Sequence, residues 1–358
     1  MYDISSVIHN RFNEIFPINL QEIAIVMSLQ ELIQNGGTFI FDPAETTEPA
    51  DELLSLYGNY IDSICLVAKS EVGSTYFQSS TAPKDPRYGD TFFSFAQIAN
   101  DIGIRVYALV HGNMDGFFSR DPNFQMYHSN SSPIDGYVCP NQEVYWQYLS
   151  EIAAEIAVKI DLDGILLKDV NYPRDIACFC DNCRRNFASS NNIDRDFSLE
   201  QLKKRANLFA KWQDFRTAGL RNTISTVVNR VYKEKKIDIL SELLLDPQTN
   251  YLEGTSTYFG QDINTMTQVA PHLLLHIHPW SPLPATKPEL AKLQTALEPL
   301  AGKLRSGKNS LFAWDVTPES FNLLLELKDA LGSDQLFFTN YQPSSYLNRR
   351  SLHLNLSM

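Results

Sequence analysis

The stretch of sequence that decides the fold covers residues 163–173. It reads Asp163-Gly164-Ile165-Leu166-Leu167-Lys168-Asp169-Val170-Asn171-Tyr172-Pro173. A short apolar run that ends in charged residues is typical of a buried strand whose end reaches a polar site. A cysteine-rich segment follows at once, with cysteines at 178, 180 and 183. We interpret the stretch as the middle strand of a larger sheet, with the cysteines in the loop after it.

Predicted strands and amphipathic helices alternate on both sides of this stretch. Apolar runs bounded by turn residues predict the other strands at 38–43, 61–69, 104–111, 237–245, 272–278, 310–315 and 335–340. Such alternation is typical of a parallel sheet with helices on its faces. Eight strands favour a closed (β/α)₈ barrel, and the alternative is an open doubly wound sheet. No glycine-rich phosphate-binding motif follows any predicted strand, which weakens the nucleotide-binding form of that alternative.

The predicted organisation is one (β/α)₈ TIM barrel domain over residues 1–358. It begins with a helical segment at 1–36 and has two long loops on the active face, at 112–141 and 170–197. The first loop is rich in aromatic residues, which suit either the flat face of a sugar or packing of the loop onto itself.

Composition narrows the choice of partners. The chain has 358 residues, 44% of them hydrophobic, and a net charge of −12. An acidic chain without a clustered basic surface predicts no nucleic-acid partner. No apolar run approaches the roughly 18–20 residues that span a bilayer, and the N-terminus lacks the pattern of a signal peptide. We therefore expect a cytoplasmic protein that does not contact membranes, and the sequence leaves its oligomeric state open.

The ends of the predicted strands carry polar residues. Alternate strand residues face opposite sides, so Asp238, Leu240, Glu242, Leu244 and Asp246 share the face predicted to line the barrel lumen. Sites in this fold lie at the carboxyl ends of the strands. The candidate residues there are Asp42, Lys69, His111, Asn113, Lys168, Asp169, Asp246, His278, Trp280, Asp315, Tyr341 and Gln342.

Each candidate has a structural alternative. An acid before proline, as at Asp42 and Asp246, often only forms a turn. His276 lies deeper and is expected to be an interior residue whose hydrogen bonds are satisfied.

Carboxylates, histidines and aromatic residues around one barrel mouth suit acid/base chemistry on a polar substrate. Glycoside cleavage needs one carboxyl group that donates a proton and a second that attacks or activates water. Asp169 and Asp246 are the predicted pair, with Glu242 as a deeper option. His111 and His278 are expected to bind hydroxyl groups or move protons, and Trp280 is expected to stack on a sugar. The predicted partner is a carbohydrate or another small polar ligand.

The stretch 163–173 resembles the fourth-strand signature of glycoside-hydrolase-like barrels, where Asp-Gly-Ile-His-Leu-Asp-Tyr-Ile-Arg-Tyr-Pro is typical. These are poorly characterised glycosyl hydrolases distantly related to the α-amylase type. Val138-Cys139-Pro140-Asn141 is similar to their Cys-Pro-Asn element before a helix, and Gly260-Gln261-Asp262 to their Gln-Asp element. The resemblance covers roughly residues 60–280 and implies the barrel fold and a carbohydrate substrate.

The sequence departs from that signature where the chemistry would lie. The acid that acts as the family's nucleophile falls on Lys168, its histidine on Leu166 and its arginine on Asn171. Asp169 is adjacent, but one residue along a strand points to the opposite face unless the strand ends or bulges there. Three readings stay open: Asp169 has taken the role, the barrel binds a saccharide without cleaving it, or Lys168 serves a lyase or isomerase reaction.

The cysteines form a separate candidate site. Cys178, Cys180 and Cys183 lie within six residues, and Cys139 ends the preceding long loop, so the four are expected to be neighbours. Four thiolates can hold a structural zinc ion. A disulfide and free thiols stay open, and His128 is a weaker alternative ligand. Cys65 lies inside a predicted strand and is expected in the core.

Overall fold

The computed structural model describes residues 37–44, 54, 62–173, 177–245, 252–277, 286–304, 308–313, 316 and 318–338. Eight parallel strands form a closed barrel. They are β1 Gly37–Phe41, β2 Ser63–Lys69, β3 Arg105–His111, β6 Gly164–Lys168, β7 Asp238–Leu245, β8 His272–Ile277, β9 Lys308–Ala313 and β10 Leu336–Phe338. Around the barrel their order is β1-β10-β9-β8-β7-β6-β3-β2. The predicted (β/α)₈ barrel is confirmed. The predicted helical segment at 1–36 lies outside the described residues, and the single-domain assignment stays a prediction.

Helices follow most of the strands and surround the barrel. They are α1 Thr91–Asp101, α2 Glu143–Lys159, α3 Asp181–Asn191, α4 Leu199–Lys203, α5 Ala206–Glu234, α6 Leu252–Phe259, α7 Ile263–Val269, α8 Lys287–Leu304 and α9 Pro318–Leu331. None of the helices described combines the length and apolar character that crossing a bilayer requires.

Both predicted long loops contain regular structure. The segment 112–141 holds a 3₁₀ turn, Phe118–Arg120, and an antiparallel pair, β4 Gln125–Tyr127 and β5 Pro133–Val138. Ser131 takes a left-handed conformation, with φ of 68°, in the turn that joins these strands. The segment 170–197 contains helix α3, which begins after Cys180 because its thiol accepts a hydrogen bond from the backbone N–H of Cys183 at 3.5 Å. A cysteine in the capping role is not a usual start signal for a helix.

Side chains fill the barrel lumen. Near its base the rings of Tyr107 and Phe337 meet edge to face, with centroids 5.2 Å apart. Gly164 makes room for this contact, since a Cβ there would lie 3.0 Å from the Tyr107 ring and 2.7 Å from the carbonyl oxygen of Asp238. Strand β6 lies between β3 and β7, with His111 paired to Lys168 and Leu166 paired to Leu240. This register brings the polar ends of three strands to one level of the lumen.

Candidate functional site

A group of charged and imidazole side chains occupies the carboxyl-terminal end of the lumen. We name it the lumen cluster, and its members are His111, Lys168, Asp169, Glu242 and His276. They come from the ends of β3, β6 and β7 and from β8, and none is more than 4% exposed. Buried charges are costly unless they are paired and hydrogen-bonded, so the contacts within the cluster determine its chemistry.

Asp169 enters the cluster because the strand stops one residue before it. Strand β6 ends at Lys168, and Asp169 takes a left-handed backbone conformation with φ of 57°. This turn brings its carboxylate back into the lumen, where Oδ2 lies 2.6 Å from Nδ1 of His111 and Oδ1 lies 3.1 Å from Nζ of Lys168. Aspartate is one of the few residues besides glycine that tolerate this conformation. Strand alternation alone would have directed the side chain into the helix layer.

Glu242 is the second carboxylate of the cluster. Its Oε1 lies 2.6 Å from Nδ1 of His276 and 3.7 Å from Nζ of Lys168. Its Oε2 accepts the backbone N–H of Asp169 at 2.8 Å and the side-chain amide of Asn171 at 3.3 Å. Glu242 therefore points into the lumen, as predicted for this face of β7. Both carboxylates contact the same ammonium group, that of Lys168.

The surroundings of Glu242 and His276 determine which of the two carries a charge. Burial alone would raise the pKa of Glu242, but the charge of Lys168 and the hydrogen bond from His276 outweigh it and lower that pKa. Burial is the largest influence on His276 and lowers its pKa. An ionised carboxylate only accepts hydrogen bonds, so the neutral imidazole of His276 must carry its proton on Nδ1. Glu242 is thus an ionised group held by the His276 imidazole and the Lys168 ammonium, together with the two donors to its Oε2.

Lys168 lies between the two carboxylates. Besides its contacts with Asp169 and Glu242, its Nζ lies 5.8 Å from the centroid of the Phe312 ring, a cation–π distance. His276 meets the edge of the same ring at 4.5 Å between centroids. In the signature that this strand resembles, the position of Lys168 carries an acid. Here it carries the cation that contacts both Asp169 and Glu242.

A second buried ion pair lies at the end of β2. Lys69 contacts Asp115 at 3.0 Å and donates to the backbone carbonyl of His111 at 3.0 Å. Asp115 also accepts the backbone N–H groups of Phe117 and Phe118 at 3.0 and 2.9 Å, and the hydroxyl of Tyr145 at 3.2 Å. Lys69 was a candidate from its place at the strand end, whereas nothing in the sequence pattern distinguished Asp115.

Two other predicted site residues have structural contacts. Asp42 accepts the backbone N–H of Ala44 at 2.9 Å, the turn-forming role that was its alternative. Asn113 is fully buried, donates from its amide to the carbonyl of Asn171 at 3.3 Å and pairs through its backbone with Asp169 at 3.1 Å. Asn113 thus supports the turn that carries Asp169. The remaining candidates lie outside the described residues: Asp246, His278, Trp280, Asp315, Tyr341 and Gln342.

The aromatic residues of segment 112–141 pack mainly onto the scaffold. The Phe118 ring lies 4.4 Å from that of Tyr148 and 5.3 Å from that of Tyr145, both on α2. Phe124 lies 5.2 Å from Phe118, and Tyr137 is buried. Phe117 is 50% exposed. These contacts fit packing of the aromatic residues within the protein better than the alternative, an aromatic surface for a sugar.

The four cysteines meet in one buried cluster. The sulfur atoms of Cys139, Cys178, Cys180 and Cys183 all lie within 4.8 Å of one another. Cys139 Sγ is 3.4 Å from that of Cys183 and 3.6 Å from that of Cys180, so the thiols are free. Four zinc ligands at about 2.3 Å in a tetrahedron place their sulfur atoms about 3.8 Å apart, which matches these spacings. His128 is not part of this cluster.

Hydrogen bonds connect the thiols of the cysteine cluster. Burial raises the pKa of Cys139, whereas hydrogen bonds from Cys139, Cys178 and Cys183 lower the pKa of Cys180. The cluster also connects to the segment that follows Asp169: the Asn141 amide donates to Cys183 Sγ at 3.3 Å and to the hydroxyl of Tyr172 at 3.2 Å. Tyr172 follows Asp169 by three residues.

Comparisons with solved structures show which known barrels this fold resembles. The chain resembles the PgaB (BpsB) glycoside hydrolase domain from Bordetella bronchiseptica with a TM-score of 0.65, at 14% identity over 90% of this chain and 97% of that one. It resembles the catalytic domain of β-amylase from Paenibacillus polymyxa with a TM-score of 0.60, at 11% identity over 86% and 92%. For α-L-fucosidase isoenzyme 2 from Paenibacillus thiaminolyticus the TM-score is 0.59, at 16% identity over 86% and 46%.

These likenesses show that the chain shares the TIM-barrel fold of these three glycoside hydrolases. No family model matches the chain, and neither does any curated protein. The three neighbours are low in identity, so they carry the fold and leave the reaction to be argued from the side chains.

Proposed function

We propose that the protein is a glycoside hydrolase that acts on a carbohydrate, with Asp169 and Glu242 as its carboxylate pair. The observation that supports this most is the left-handed turn at Asp169, which brings its carboxylate into the lumen beside His111 and Lys168. A non-glycine residue in this conformation costs free energy and persists only where the surrounding structure holds it there. Such residues concentrate at functional sites. Within the described residues the turn brings Asp169 close to Glu242.

The contacts suggest a division of roles. Glu242 has a lowered pKa and serves as the ionised group that attacks, activates water or stabilises positive charge on the sugar ring. Asp169 and His111, 2.6 Å apart, handle the proton given to the leaving group. Lys168 holds both carboxylates, and an ammonium committed to two acids and an aromatic ring is poorly placed to attack a carbonyl. The lyase or isomerase alternative is thereby the weaker one.

The alternative of a barrel that binds a saccharide without cleaving it has an observation of its own. Both carboxylates are buried, and one lysine lies within ion-pair distance of both. A site in which the acids are neutralised internally could hold a ligand without reacting with it. Asp246, the partner first predicted for Asp169, remains a candidate acid and belongs in any test.

A glycoside panel decides between cleavage and binding. Wild type is incubated with aryl glycosides and oligosaccharides beside Asp169→Asn, Glu242→Gln and Asp246→Asn, with Asp194→Asn as the control for an exposed aspartate. Loss of acid/base chemistry should lower kcat about 100- to 10,000-fold in Asp169→Asn and Glu242→Gln and leave the control unchanged. Saccharide binding by calorimetry with no product from wild type would replace the hydrolase proposal with the binding one.

We further propose that the four cysteines hold a structural zinc ion. The four sulfur atoms supply the complete ligand set of a closed tetrahedral site, with spacings close to those that zinc imposes. The ion would join the segment after β5 to the start of α3. It would supply folding stability, and no step of the reaction requires it.

Metal analysis tests the zinc proposal directly. Protein purified under reducing conditions should contain about one zinc per chain, and Cys180→Ser should contain almost none. Cys65→Ser is the matched control, since Cys65 is buried in β2 away from the cluster. Chelation should lower the Tm of wild type and of the control but not that of Cys180→Ser. Fresh reduced protein without metal, or an intact mass two hydrogens lower per disulfide, would overturn it.

A further inference from the structure

The two carboxylates of the lumen cluster lie beyond the point where their strands pair. Backbone pairing between β6 and β7 ends at Leu167 and Ser241. Asp169 and Glu242 both follow this point, so the ladder itself does not fix the distance between them. A side chain from the segment between α6 and α7 joins the two strand ends instead.

That side chain is Gln261, which makes three hydrogen bonds at once. Its Nε2 donates to the carbonyl of Glu242 at 2.7 Å and to the carbonyl of Val170 at 3.0 Å. Its Oε1 accepts the backbone N–H of Leu244 at 2.8 Å. The opposite orientation of the amide would place its oxygen against two carbonyls, so only one orientation satisfies all three partners. Gln261 thus replaces the missing ladder bonds.

The surroundings hold Gln261 in place. Gly260 before it has φ of +70°, and a Cβ there would lie 2.7 Å from the ring of Tyr172. The backbone N–H of Gln261 donates to Thr255 at 3.0 Å, and the hydroxyl of Thr255 donates to the carbonyl of Leu244 at 2.8 Å. The Gln261 side chain is fully buried. A buried amide with its position fixed on both sides is suited to setting a distance.

We propose that Gln261 is the positioning residue that sets the separation of Asp169 and Glu242. Val170 is the neighbour of Asp169 in the chain, and Glu242 is held through its own carbonyl. Without the amide the two strand ends would part, and the 2.8 Å hydrogen bond from the Asp169 backbone to Glu242 would lengthen. Misplacement by about 1 Å can cost about 100-fold in rate. This catalytic consequence rests on the proposed hydrolase function, whereas the positioning of the two carboxylates does not.

Gln261→Met tests the inference, since methionine keeps the length of the side chain and removes all three hydrogen bonds. Gln213→Met is the matched control, because the side-chain amide of Gln213 donates to Thr257 on α6 rather than to a strand. We expect Gln261→Met to lower kcat about 100-fold with KM within about twofold, and the control to match wild type. A purely structural role would lower the amount of folded enzyme without this division between kcat and KM.

A second readout does not depend on activity. The 2.6 Å bonds of His111 and His276 should give downfield imidazole proton signals in NMR spectra, assigned with His276→Gln. Gln261→Met should move or remove both signals, and Gln213→Met should preserve them. If wild type cleaves no glycoside, the hydrolase proposal fails while these signals still test Gln261. Unchanged signals in Gln261→Met would overturn the inference.

Hydrogen exchange on wild type covers the case in which Gln261→Met does not fold. The amide of Leu244 should exchange as slowly as the paired amides of β7, because its partner is a buried side chain. Fast exchange at Leu244 would show that Gln261 does not join the strands, and would overturn the inference without any variant.

Discussion

Among the residues that the structure describes, the barrel buries two lysines completely, and their surroundings differ. Lys69 faces one carboxylate, Asp115, whose remaining contacts are two backbone N–H groups and the Tyr145 hydroxyl. Lys168 faces two carboxylates, each of which also contacts an imidazole. The first network balances one positive charge with one negative charge. The second places two acids and two histidines around a single cation.

This difference indicates that the Lys69 network is structural and that the Lys168 network belongs to the candidate site. The Lys69 network joins β2, the segment after β3 and α2 through groups that do not need to change charge. The Lys168 network contains two carboxylates and two imidazoles, the groups that a hydrolase would use for proton transfer. Burial of a lysine therefore does not by itself identify a site, whereas the number and kind of its partners does.

The largest effect should come from Lys168→Met, which leaves two buried acids without their cation. We expect the free energy of unfolding to fall by at least the roughly 3–5 kcal/mol that breaking a buried ion pair costs. The pKa of Glu242 should rise, because the charge of Lys168 helps to lower it. The acid limb of the kcat/KM profile should therefore move to higher pH. Urea denaturation and the pH profile measure the two effects, and an acid limb that stays in place would contradict the assigned role.

Lys69→Met should affect stability without affecting chemistry. Removing one partner of this buried pair should cost about 3–5 kcal/mol in the free energy of unfolding, since Asp115 keeps an unbalanced charge. Folded enzyme should retain the acid limb of wild type. Asp115→Asn in the same chain keeps the acceptor for Phe117 and Phe118, and should recover part of the loss in a double-mutant cycle. A shifted acid limb would show that the two networks are coupled.

The smallest expected effect is the loss of folding stability as the pH falls. The pKa of His276 is below its ordinary value of 6.5 in the fold, because burial disfavours the charged form. As pH falls below about 6.5, the unfolded chain takes up protons that the fold resists, so stability decreases toward acid. Glu242 acts in the same direction at lower pH: its folded pKa is depressed below 4.5, so its contribution is present above that value and is lost as pH falls through the folded pKa.

Thermal denaturation from pH 7.5 to pH 5 checks this prediction. Replacement His276→Gln should flatten the decrease of Tm between about pH 6.5 and pH 5. Lys69→Met contains the same histidine and should keep the slope of wild type. An unchanged slope in His276→Gln would show that the imidazole does not stay neutral in the fold.

The sequence supported more of the barrel than of the site. Alternation of apolar strands and helices predicted the closed barrel, and strand periodicity correctly oriented Glu242 toward the lumen. The same periodicity misdirects Asp169, because a left-handed turn at one residue cancels the rule. The structure in segments 112–141 and 170–197 was missed because a cysteine cap and a short strand pair leave weak signals.

The contacts of Gln261 and Asp115 were also beyond sequence reasoning. The side chain of Gln261 bonds to residues 17, 19 and 91 positions away, and Asp115 pairs with Lys69 from another strand end. No local pattern reports such a partner. The sequence marked Gly260-Gln261-Asp262 only through its resemblance to a Gln-Asp element. Its meaning became clear only in the fold: the glycine turns the chain beside Tyr172, the glutamine joins two strands, and the aspartate caps α7 through Thr265 at 2.8 Å.

The turn at Asp169 also sets the charge balance of the lumen. In the signature that this strand resembles, an acid stands at the position of Lys168. Here the turn brings the next residue, Asp169, into the lumen beside the Lys168 ammonium. Lys168→Asp would place three carboxylates together without the ammonium that now contacts two of them. The left-handed turn and the lysine before it therefore depend on each other, because the turn supplies an acid that the lysine balances.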